Sequence, residues 1–600
     1  MLDLSPGNLY NEITSAEAIR DEYISSMDDL VEQFVGPAYS SKIDDQNYLP
    51  ENHVYEYLSL TVPRLIYDNP RVHVKTRRPV SQGDASRAIE HGVNRWIRDT
   101  NCRHTLQRIA YDMLLGYGVC MTIEEPMQGY GIIDHGGPHW PVIHRLSPSR
   151  WFMDSQAMDI SEARFCGHRW IRDKEDLLNE ASVDPSWNKK VIEALSTDAS
   201  VDETRNADSK SPPPRNEVVC YEIWVPEKIV DGSPGPELGF NGSIYTMAVS
   251  NPGDDSNKKS ADFIRKPRPY YGPATGPYTL FGAYTVPDKP YPLSPIMANQ
   301  PQCMELNEHV RSATRSAAQY KKLVFVDARN KKLVQDIKNQ PDNFVVPVDG
   351  LSPDSVVPAE FGGITNQQLT YMQVCRDRLD RNSGIQDAQR GVVTGDATAT
   401  EVQVAEAAGS LRFSFVHKQY QDCVQQVMKK VAWYLYHDER VSFPLGEKAA
   451  EEMGIPEPIF VGGLQREVTG ATYADLELEI DTFSMQKSNE PLLQRRAMDS
   501  MNLIIQSAQI MADTPFIDWD TLLKKLGDAM NVPELGELID REMLMQMVQQ
   551  QQEQEEAMAQ AKMMAGQARG NQQQSRQAPQ QGPQNDPLAD RIRDLAGKRK

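Results

Sequence analysis

The residues best suited to metal chemistry lie between Asp134 and His144. This stretch, Asp134-His-Gly-Gly-Pro-His-Trp-Pro-Val-Ile-His144, supplies three imidazoles and a carboxylate, which are groups that bind zinc in proteins. Their spacing fits neither one face of a helix nor a usual zinc finger, and the intervening glycines and prolines are typical of a turn. The sequence therefore favours a β-turn carrying surface histidines over a metal site.

The short motifs that install phosphate, metal or acyl chemistry are absent from the sequence. There is no G-x-x-x-x-G-K-[ST], no H-E-x-x-H, no G-x-S-x-G and no EF-hand calcium loop. We therefore expect a protein that is not an enzyme and that needs no cofactor and no metal.

Two other groups of residues resemble binding sites. The alternating charges from Arg376 to Arg381 could form a binding patch, but such spacing on a helix more often marks a solvated face or a subunit contact. Trp433, Tyr434 and Tyr436 could stack on bases, but they follow the period of a helical core. The sequence favours packing for these three aromatic side chains.

Composition limits the possible partners. The chain has 600 residues, of which 40% are hydrophobic and 24% charged, with a formal net charge of -21 and a pI near 5.1. This length predicts several domains. The acidic balance argues against a protein that grips phosphate backbones, because such grip requires clustered Lys and Arg.

Cysteine spacing and the terminus bear on location. The seven cysteines are far apart, odd in number and without a C-x-x-C pair, so we expect reduced thiols. The first basic residue is Arg20, which argues against a secretory signal. No apolar run approaches the ~20 residues that span a bilayer. These features predict a soluble protein made in the cytoplasm without membrane insertion.

Hydrophobic periodicity predicts helices before and between strands in the first half of the chain. The predicted helices cover residues 1–35, 53–67 and 85–116. The predicted strands cover residues 119–123, 141–146, 164–171, 218–224 and 244–249. Polar stretches at 200–215 and 231–260 are predicted to be surface excursions.

The middle of the chain predicts two helices of similar length around a small unit. The first covers 296–320 and the second 365–382. Between them we expect a strand at 323–326, a short helix at 331–338, a strand at 344–348 and a polar return to Gly363. The narrow apolar sides of the two longer helices suit close packing with neighbouring helices. The packing residues are Leu306, Val310, Ala313, Ala317, Leu369, Met372, Cys375 and Leu379.

A long glycine-rich polar loop follows the second of these helices, from Gly384 to Ala397. The next helix begins at a capping box, Thr398-Ala-Thr-Glu401. Its apolar face is predicted from three-and-four spacing. The residues of this face are Val416, Tyr420, Val424, Val427, Val431 and Leu435. A loop so long and so polar between two strongly predicted helices is more typical of a functional segment than of a simple connection.

Beyond the long helix, the alternation from Tyr473 to Phe483 predicts a strand that turns Leu476, Leu478 and Ile480 to one face. A terminal helical group is predicted from Ser488 onward, then a Gln-rich helix and a disordered Gln/Pro tail.

The ordered series of these elements resembles the portal proteins of bacteriophages, the head-tail connectors at one capsid vertex. The resemblance covers most of residues 50–545 and rests on the whole series more than on any one motif. The stretches that carry it are Asn52-His-Val-Tyr-Glu-Tyr to Pro63-Arg-Leu-Ile, Asn69-Pro-Arg-Val-His-Val, Asp112-Met-Leu-Leu-Gly-Tyr-Gly, Pro290-Tyr-Pro-Leu-Ser-Pro295, Ser383-Gly-Ile, Arg390-Gly, Thr398-Ala-Thr-Glu401 and Arg412.

The resemblance implies a multidomain, ring-forming α+β chain. Its implied parts are a wing at 1–295, a stem helix at 296–321, a small α/β clip at 322–362, a second stem helix at 363–384, a tunnel loop at 385–397, the rest of the wing at 398–486, a helical crown at 487–545 and a Gln-rich helix with a disordered tail at 546–600.

The resemblance also implies a function. Twelve copies would form a ring at the capsid vertex of a virion assembled in the host cytoplasm, and double-stranded DNA would pass through it. The implied partners are the terminase large subunit, a head-tail adaptor, and the major capsid and scaffolding proteins. The loop residues expected to face DNA are Gln386, Gln389, Arg390, Val392 and Thr394. The clip residues expected to dock terminase or adaptor are Asp327, Arg329, Lys331 and Lys332.

Three alternatives stay open at this point. Arg390 could sense phosphate, or it could pair with Asp387 or Asp396. The chain could be another virion structural protein, such as a tail adaptor or a scaffold with a coiled coil. Less favoured is a DNA-processing enzyme that uses clustered carboxylates and a divalent metal.

Overall fold

The computed structural model describes most of the first four fifths of the chain. The described residues are 3–36, 52–126, 139–195, 217–226, 239–250, 260–318, 321–326, 356–361, 363–383, 399–445, 459–463, 472–481 and 484–485. The chain divides into two compact units, Met1–Lys487 and Ser488–Lys600, and every described residue belongs to the first. Helices and antiparallel strands make up this unit, which confirms the predicted α+β class.

The helices form where the sequence shows three-and-four apolar spacing. Their bounds are α1 Pro6–Val35, α2 His53–Leu65, α3 Pro79–Thr100, α4 Cys102–Leu115, α5 Lys174–Val183, α6 Lys189–Ala194, α7 Pro295–Ala318, α8 Asn366–Ser383 and α9 Ala399–His437. Short 3-10 turns cover Pro148–Arg150 and Tyr473–Asp475.

The strands pair antiparallel in separate sheets. Their bounds are β1 Val72–Thr76, β2 Gly118–Pro126, β3 His139–Leu146, β4 Trp151–Met153, β5 Cys166–Asp173, β6 Glu217–Val225, β7 Phe240–Ser250, β8 Ser260–Tyr271, β9 Tyr278–Phe281, β10 Lys321–Val326, β11 Val356–Phe361, β12 Ser442–Pro444, β13 Ile459–Val461 and β14 Leu476–Ile480. The largest sheet has the order β4-β5-β6-β7-β8, and a second has the order β3-β2-β9.

The segment after α9 returns to the beginning of the body. Strand β14 pairs with β1, with Val74 opposite Leu478, so residues some 400 positions apart share one sheet. Leu476 and Leu478 are buried and Ile480 is half-buried, as the alternating pattern predicts. Residues before α7 and after α8 therefore build one common core, which we call the body.

Helix α9 runs through the centre of the body and contacts α3, β2, β3, β9 and β14. All six residues of its predicted apolar face are buried, from Val416 to Leu435. Trp433, Tyr434 and Tyr436 are buried as well, which confirms packing as their role. The periodicity of this helix was sufficient to predict its buried residues, because the body surrounds the helix on several sides.

Two predicted elements differ from the structure. The helical segment predicted at 85–116 begins at Pro79 and breaks at Asn101, whose φ of 46° and ψ of 50° lie in the left-handed region that asparagine tolerates. The polar return to Gly363, for which no strand was predicted, contains β11, which pairs with the partner strand β10. The predicted helix at 331–338 and strand at 344–348 lie outside the described residues.

All seven cysteines are buried free thiols, which confirms the prediction of a reduced set. Within the described ranges, no helix is both long enough and apolar enough to cross a membrane.

Candidate functional site

Helices α7 and α8 form an antiparallel hairpin that we call the stem hairpin. The backbone amide of Gly363 donates to the carbonyl of Ser316 at one end, at 2.8 Å. Further along, the Tyr371 hydroxyl donates to Glu305 Oε1 at 2.6 Å, and its ring lies edge-on to His309 with centroids 4.6 Å apart. The contacts run in opposite order along the two helices, as an antiparallel pair requires.

A small apolar cluster joins the two helices of the hairpin. Its buried members are Cys303, Leu306, Cys375 and Leu379, with Val310 packed against them. This cluster is separate from the main core of the body. The hairpin therefore has its own core, but a core of only a few side chains.

A two-stranded sheet connects the helices at the end opposite the body. Strands β10 and β11 pair from Lys321 opposite Phe361 to Val326 opposite Val356. The residues predicted to dock partners, Asp327, Arg329, Lys331 and Lys332, lie outside the described residues. The same is true of the five loop residues predicted to face DNA, namely Gln386, Gln389, Arg390, Val392 and Thr394.

The predicted packing residues of the stem hairpin divide into two groups. Those buried or half-buried within the chain are Leu306, Val310, Ala313, Met372 and Leu379. Those exposed are Ala317 and Leu369. The exposed pair has no described neighbour that covers it within one chain, so any packing role for these two side chains requires another molecule.

Further large apolar side chains of the hairpin are exposed. Met304 is 57% exposed, Leu369 50% and Val374 38%. Ile364 and Tyr371 are also exposed. Sequence periodicity assigned Leu369 to the apolar side but missed Met304 and Val374, because these two lie off the narrow stripe that faces the partner helix of the same chain.

The long helix α9 is tied to the end of α8. The Arg412 guanidinium donates from one nitrogen to the carbonyls of Arg381 and Asn382, at 2.7 and 2.8 Å. These carbonyls belong to the last turn of α8. The carbonyls of a last turn accept no N–H group from within their own helix, and they carry the negative end of the helix dipole. Arg412, which lies inside α9, therefore ties this helix to the last turn of α8, from which the predicted tunnel loop departs.

The histidines considered for metal binding take a different role. His139 and His144 lie on β3, where they pair with Glu124 and Glu125 of β2 at 2.9 and 2.8 Å. Asp134 and His135 lie outside the described residues, so this role is assigned to His139 and His144 alone. Searching the described ranges, we find no group of three or more His, Cys, Asp or Glu side chains that could hold a metal ion.

The arrangement of side chains best suited to chemistry lines a cavity of about 1150 Å³ beside the end of α9. Five carboxyl residues line it, and two of them, Glu124 of β2 and Asp438, are hydrogen-bonded to each other. Burial, followed by a hydrogen bond to Asp438, raises the pKa of Glu124 to about 9. The pKa of Asp438 is lowered despite its own burial, because Glu124 and Arg440 stabilise its charged form. Within this pair Glu124 favours the protonated form and Asp438 the charged form.

Arg440 holds this carboxyl pair in place. Its Nη2 lies 2.9 Å from Glu124 Oε1, and its Nε lies 3.0 Å from Asp438 Oδ1. Tyr271 and Tyr434 line the same cavity. Such a pair can store a proton in a cavity, but no local sequence pattern predicts it, since Glu124 and Asp438 are more than 300 residues apart.

Comparison with known proteins adds little. No protein-family model matches the chain, and no curated protein matches it. Among solved structures, a chain from the "virion of native gene transfer agent (GTA) particle" is similar at a TM-score of 0.34 and 9% sequence identity. The alignment covers 69% of this chain and 86% of that one. A similarity of this size does not identify a shared fold or function.

Proposed function

We propose that this chain is a bacteriophage portal protein that closes into a ring at the capsid vertex. Double-stranded DNA would pass through the ring during packaging and ejection, while a separate terminase motor supplies the energy. A head-tail adaptor would replace the motor afterwards, and the major capsid and scaffolding proteins would surround the ring. In this role the chain carries out no catalytic step of its own.

The observation that supports this proposal best is the stem hairpin with its uncovered apolar side chains. Two antiparallel helices project a small sheet at one end and return to the body at the other. Met304, Leu369 and Val374 are exposed on this hairpin although a water-soluble surface disfavours large apolar groups. Packing against the hairpins of neighbouring copies would remove these groups from water.

Ring closure gives this exposure a physical reason. A ring is built from heterologous contacts, in which one surface of each copy meets a different surface of the next. Each copy must therefore present apolar groups that no contact within its own chain can cover. The burial of such groups contributes roughly 25 cal/mol per Å² of apolar surface, so several side chains per contact suffice to favour association.

The net charge suits a conduit for DNA. Duplex DNA carries about one negative charge per 1.7 Å of its axis, and a wall that neutralised each phosphate would hold the duplex in place. A chain with a formal net charge of -21 has too few cations to neutralise each phosphate, so it would not hold the duplex in place. The predicted loop at 385–397 would then line the narrowest part with mostly uncharged side chains, and Arg390 would be its one cation.

Negative-stain electron microscopy of the purified full-length chain tests the proposal. We expect closed rings whose central hole is wide enough for duplex DNA. The triple variant Met304→Ser, Leu369→Ser, Val374→Ser should fold but remain dissociated, because it removes the apolar groups that we assign to the contact between copies. Folding is checked by circular dichroism.

A matched control removes equally exposed apolar groups elsewhere. The triple variant Met158→Ser, Val183→Ser, Ile459→Ser changes three exposed residues of the body and should leave the rings intact. Solid, open-ended or solitary particles of the wild-type chain would contradict the proposal, and rods or filaments would favour a scaffold or tail adaptor.

The carboxyl pair in the large cavity is the part of the described structure on which the enzyme alternative can be tested. If the purified chain cleaves DNA or ATP with a divalent metal, and if Glu124→Gln or Asp438→Asn abolishes that activity, the proposed passive conduit is wrong.

A further inference from the structure

A second cavity of the body, of about 500 Å³, differs in charge from the rest of the molecule. It lies where β3 ends and β5 passes beside it. Its polar lining residues are Arg145, Ser147, Ser149, Arg150, His168 and Arg169. None of the described lining residues is a carboxylate. Three guanidinium groups thus line one cavity of a chain whose formal net charge is -21.

Only one of these three arginines has a carboxylate partner. Arg145 is bound in a two-point contact by Asp112 of α4, from its Nε at 2.5 Å and its Nη2 at 2.7 Å. Asp112 itself does not line the cavity. Among the described residues no carboxylate lies within ion-pair distance of Arg150 or Arg169. The Arg169 guanidinium reaches the Tyr221 hydroxyl, and its Nε is buried without an acceptor.

The positions of these groups are fixed by backbone structure. Arg150 ends a 3-10 turn, in which its amide donates to the Ser147 carbonyl at 2.9 Å. The hydroxyl groups of Ser147 and Ser149 lie 2.9 Å apart within the same turn. Arg169 belongs to β5 and lies opposite Tyr221 of β6 in the sheet register. A strand and a 3-10 turn therefore fix the backbone positions from which these side chains extend.

We propose that this cavity binds a phosphate group. A guanidinium presents a planar set of donors that matches the oxygens of phosphate, and serine hydroxyls supply further hydrogen bonds. Arg150 is exposed and Arg169 half-buried, and among the described residues neither has a carboxylate partner that would compete with an anion. The volume exceeds that of a single phosphate ion, so a phosphate within a larger molecule also fits. The phosphate could come from the backbone of DNA or from free phosphate in solution.

The proposed site is independent of ring assembly. All of its lining residues belong to the body, and none belongs to the stem hairpin. A dissociated chain should therefore bind phosphate as well as a ring does, so failure of the portal proposal would not remove the site.

Isothermal titration calorimetry of the full-length chain with inorganic phosphate, at constant ionic strength adjusted with chloride, tests the site. We expect saturable binding to the wild type. Arg150→Gln and Arg169→Gln should each weaken it about tenfold, which corresponds to about 1.4 kcal/mol. Arg98→Gln, which changes an exposed arginine of α3 away from the cavity, should bind phosphate like the wild type.

A second measurement distinguishes the two sources of phosphate. Fluorescence anisotropy with a short DNA duplex should show binding that inorganic phosphate displaces and that the two cavity variants weaken, if the DNA backbone is the source. Phosphate binding without duplex binding would assign the cavity to free phosphate. The proposal is overturned if phosphate does not bind, or if Arg150→Gln and Arg169→Gln bind it as tightly as the wild type. Binding of a glutamate-rich peptide that phosphate does not displace would also overturn it.

Discussion

The body and the stem hairpin bury their apolar side chains to very different degrees. In the body, one continuous core joins α1 to α4, the three-stranded sheet, β14 and α9. In the hairpin, the separate cluster consists of Cys303, Leu306, Cys375 and Leu379 with Val310 beside them. At the same time Met304 and Leu369 of the hairpin are at least half exposed.

This difference shows which part of the molecule is complete as a single chain. The body packs strands and helices around α9, and the apolar groups of this helix from Val416 to Leu435 are buried. The hairpin packs one narrow side of each helix and leaves other apolar groups uncovered. A partner that covers the hairpin would therefore change its stability far more than it would change that of the body.

The largest expected effect lies in the core of the body. Trp96 is fully buried on α3, and its indole nitrogen donates to the Pro141 carbonyl at 2.7 Å. Trp96→Ala should lower the free energy of unfolding by about 3–5 kcal/mol, because it leaves a large cavity and an unsatisfied carbonyl. The midpoint of urea-induced unfolding of the dissociated chain measures this loss.

The comparison with the hairpin supplies the control. Leu369→Ala changes an exposed side chain and should alter the same free energy by no more than about 0.5 kcal/mol. Equal losses for the two variants would mean that body and hairpin do not differ in the way described.

A smaller effect depends on pH and again belongs to the body. Lys430 of α9 is buried and donates to the Tyr278 carbonyl, and burial lowers the pKa of its ammonium group to about 7. The unfolded chain, with its ordinary pKa near 10.5, therefore binds more protons between these two values. The contribution of Lys430 to stability is present above the pKa of this group in the unfolded chain, and it is lost as the pH falls through about 7.

Lys430→Met tests this sign. The stability of the wild type relative to the variant should increase between pH 6.5 and pH 9.5, by a few kcal/mol at most, when both are unfolded in urea. The variant is the reference for the wild type, because all other titrating groups are the same in both proteins. A constant difference across this pH range would show that the ammonium group is not desolvated as described.

The smallest expected effect lies where the hairpin meets the body. Arg412→Gln removes the charged donor from the last turn of α8, and we expect a local loss of about 0.5–1.5 kcal/mol. The amides of that turn should exchange hydrogen faster in the variant. Lys418→Gln, which removes only a surface ion pair within α9, should leave this exchange unchanged. Faster exchange in both variants would argue against a specific role for Arg412.

Much of the helical framework was predictable from local sequence. The bounds of α2, α7 and α8 lie within a few residues of those predicted, and the apolar face of α9 is buried throughout. Helix periodicity repeats within a few residues, so a short window contains the necessary information. The domain bounds and the partner-facing residues drawn from the family resemblance stay predictions.

Other features could not be predicted because they depend on residues far apart in the chain. Strand β11 lies in a segment predicted only as a polar return, and it pairs with β10 some 35 residues earlier in the chain. The carboxyl pair joins Glu124 to Asp438, and the arginine-lined cavity joins the end of β3 to β5. No local pattern brings such groups together.

The sequence by itself determined much of the helical framework, the reduced thiols and the acidic balance, since each follows from residue types and short-range spacing. Only the tertiary structure decided which apolar groups of the hairpin stay exposed, which carboxyl group keeps its proton, and where unpaired arginines meet. The physical reason is that burial and charge compensation are properties of the assembled surroundings, whereas periodicity is a property of the chain alone.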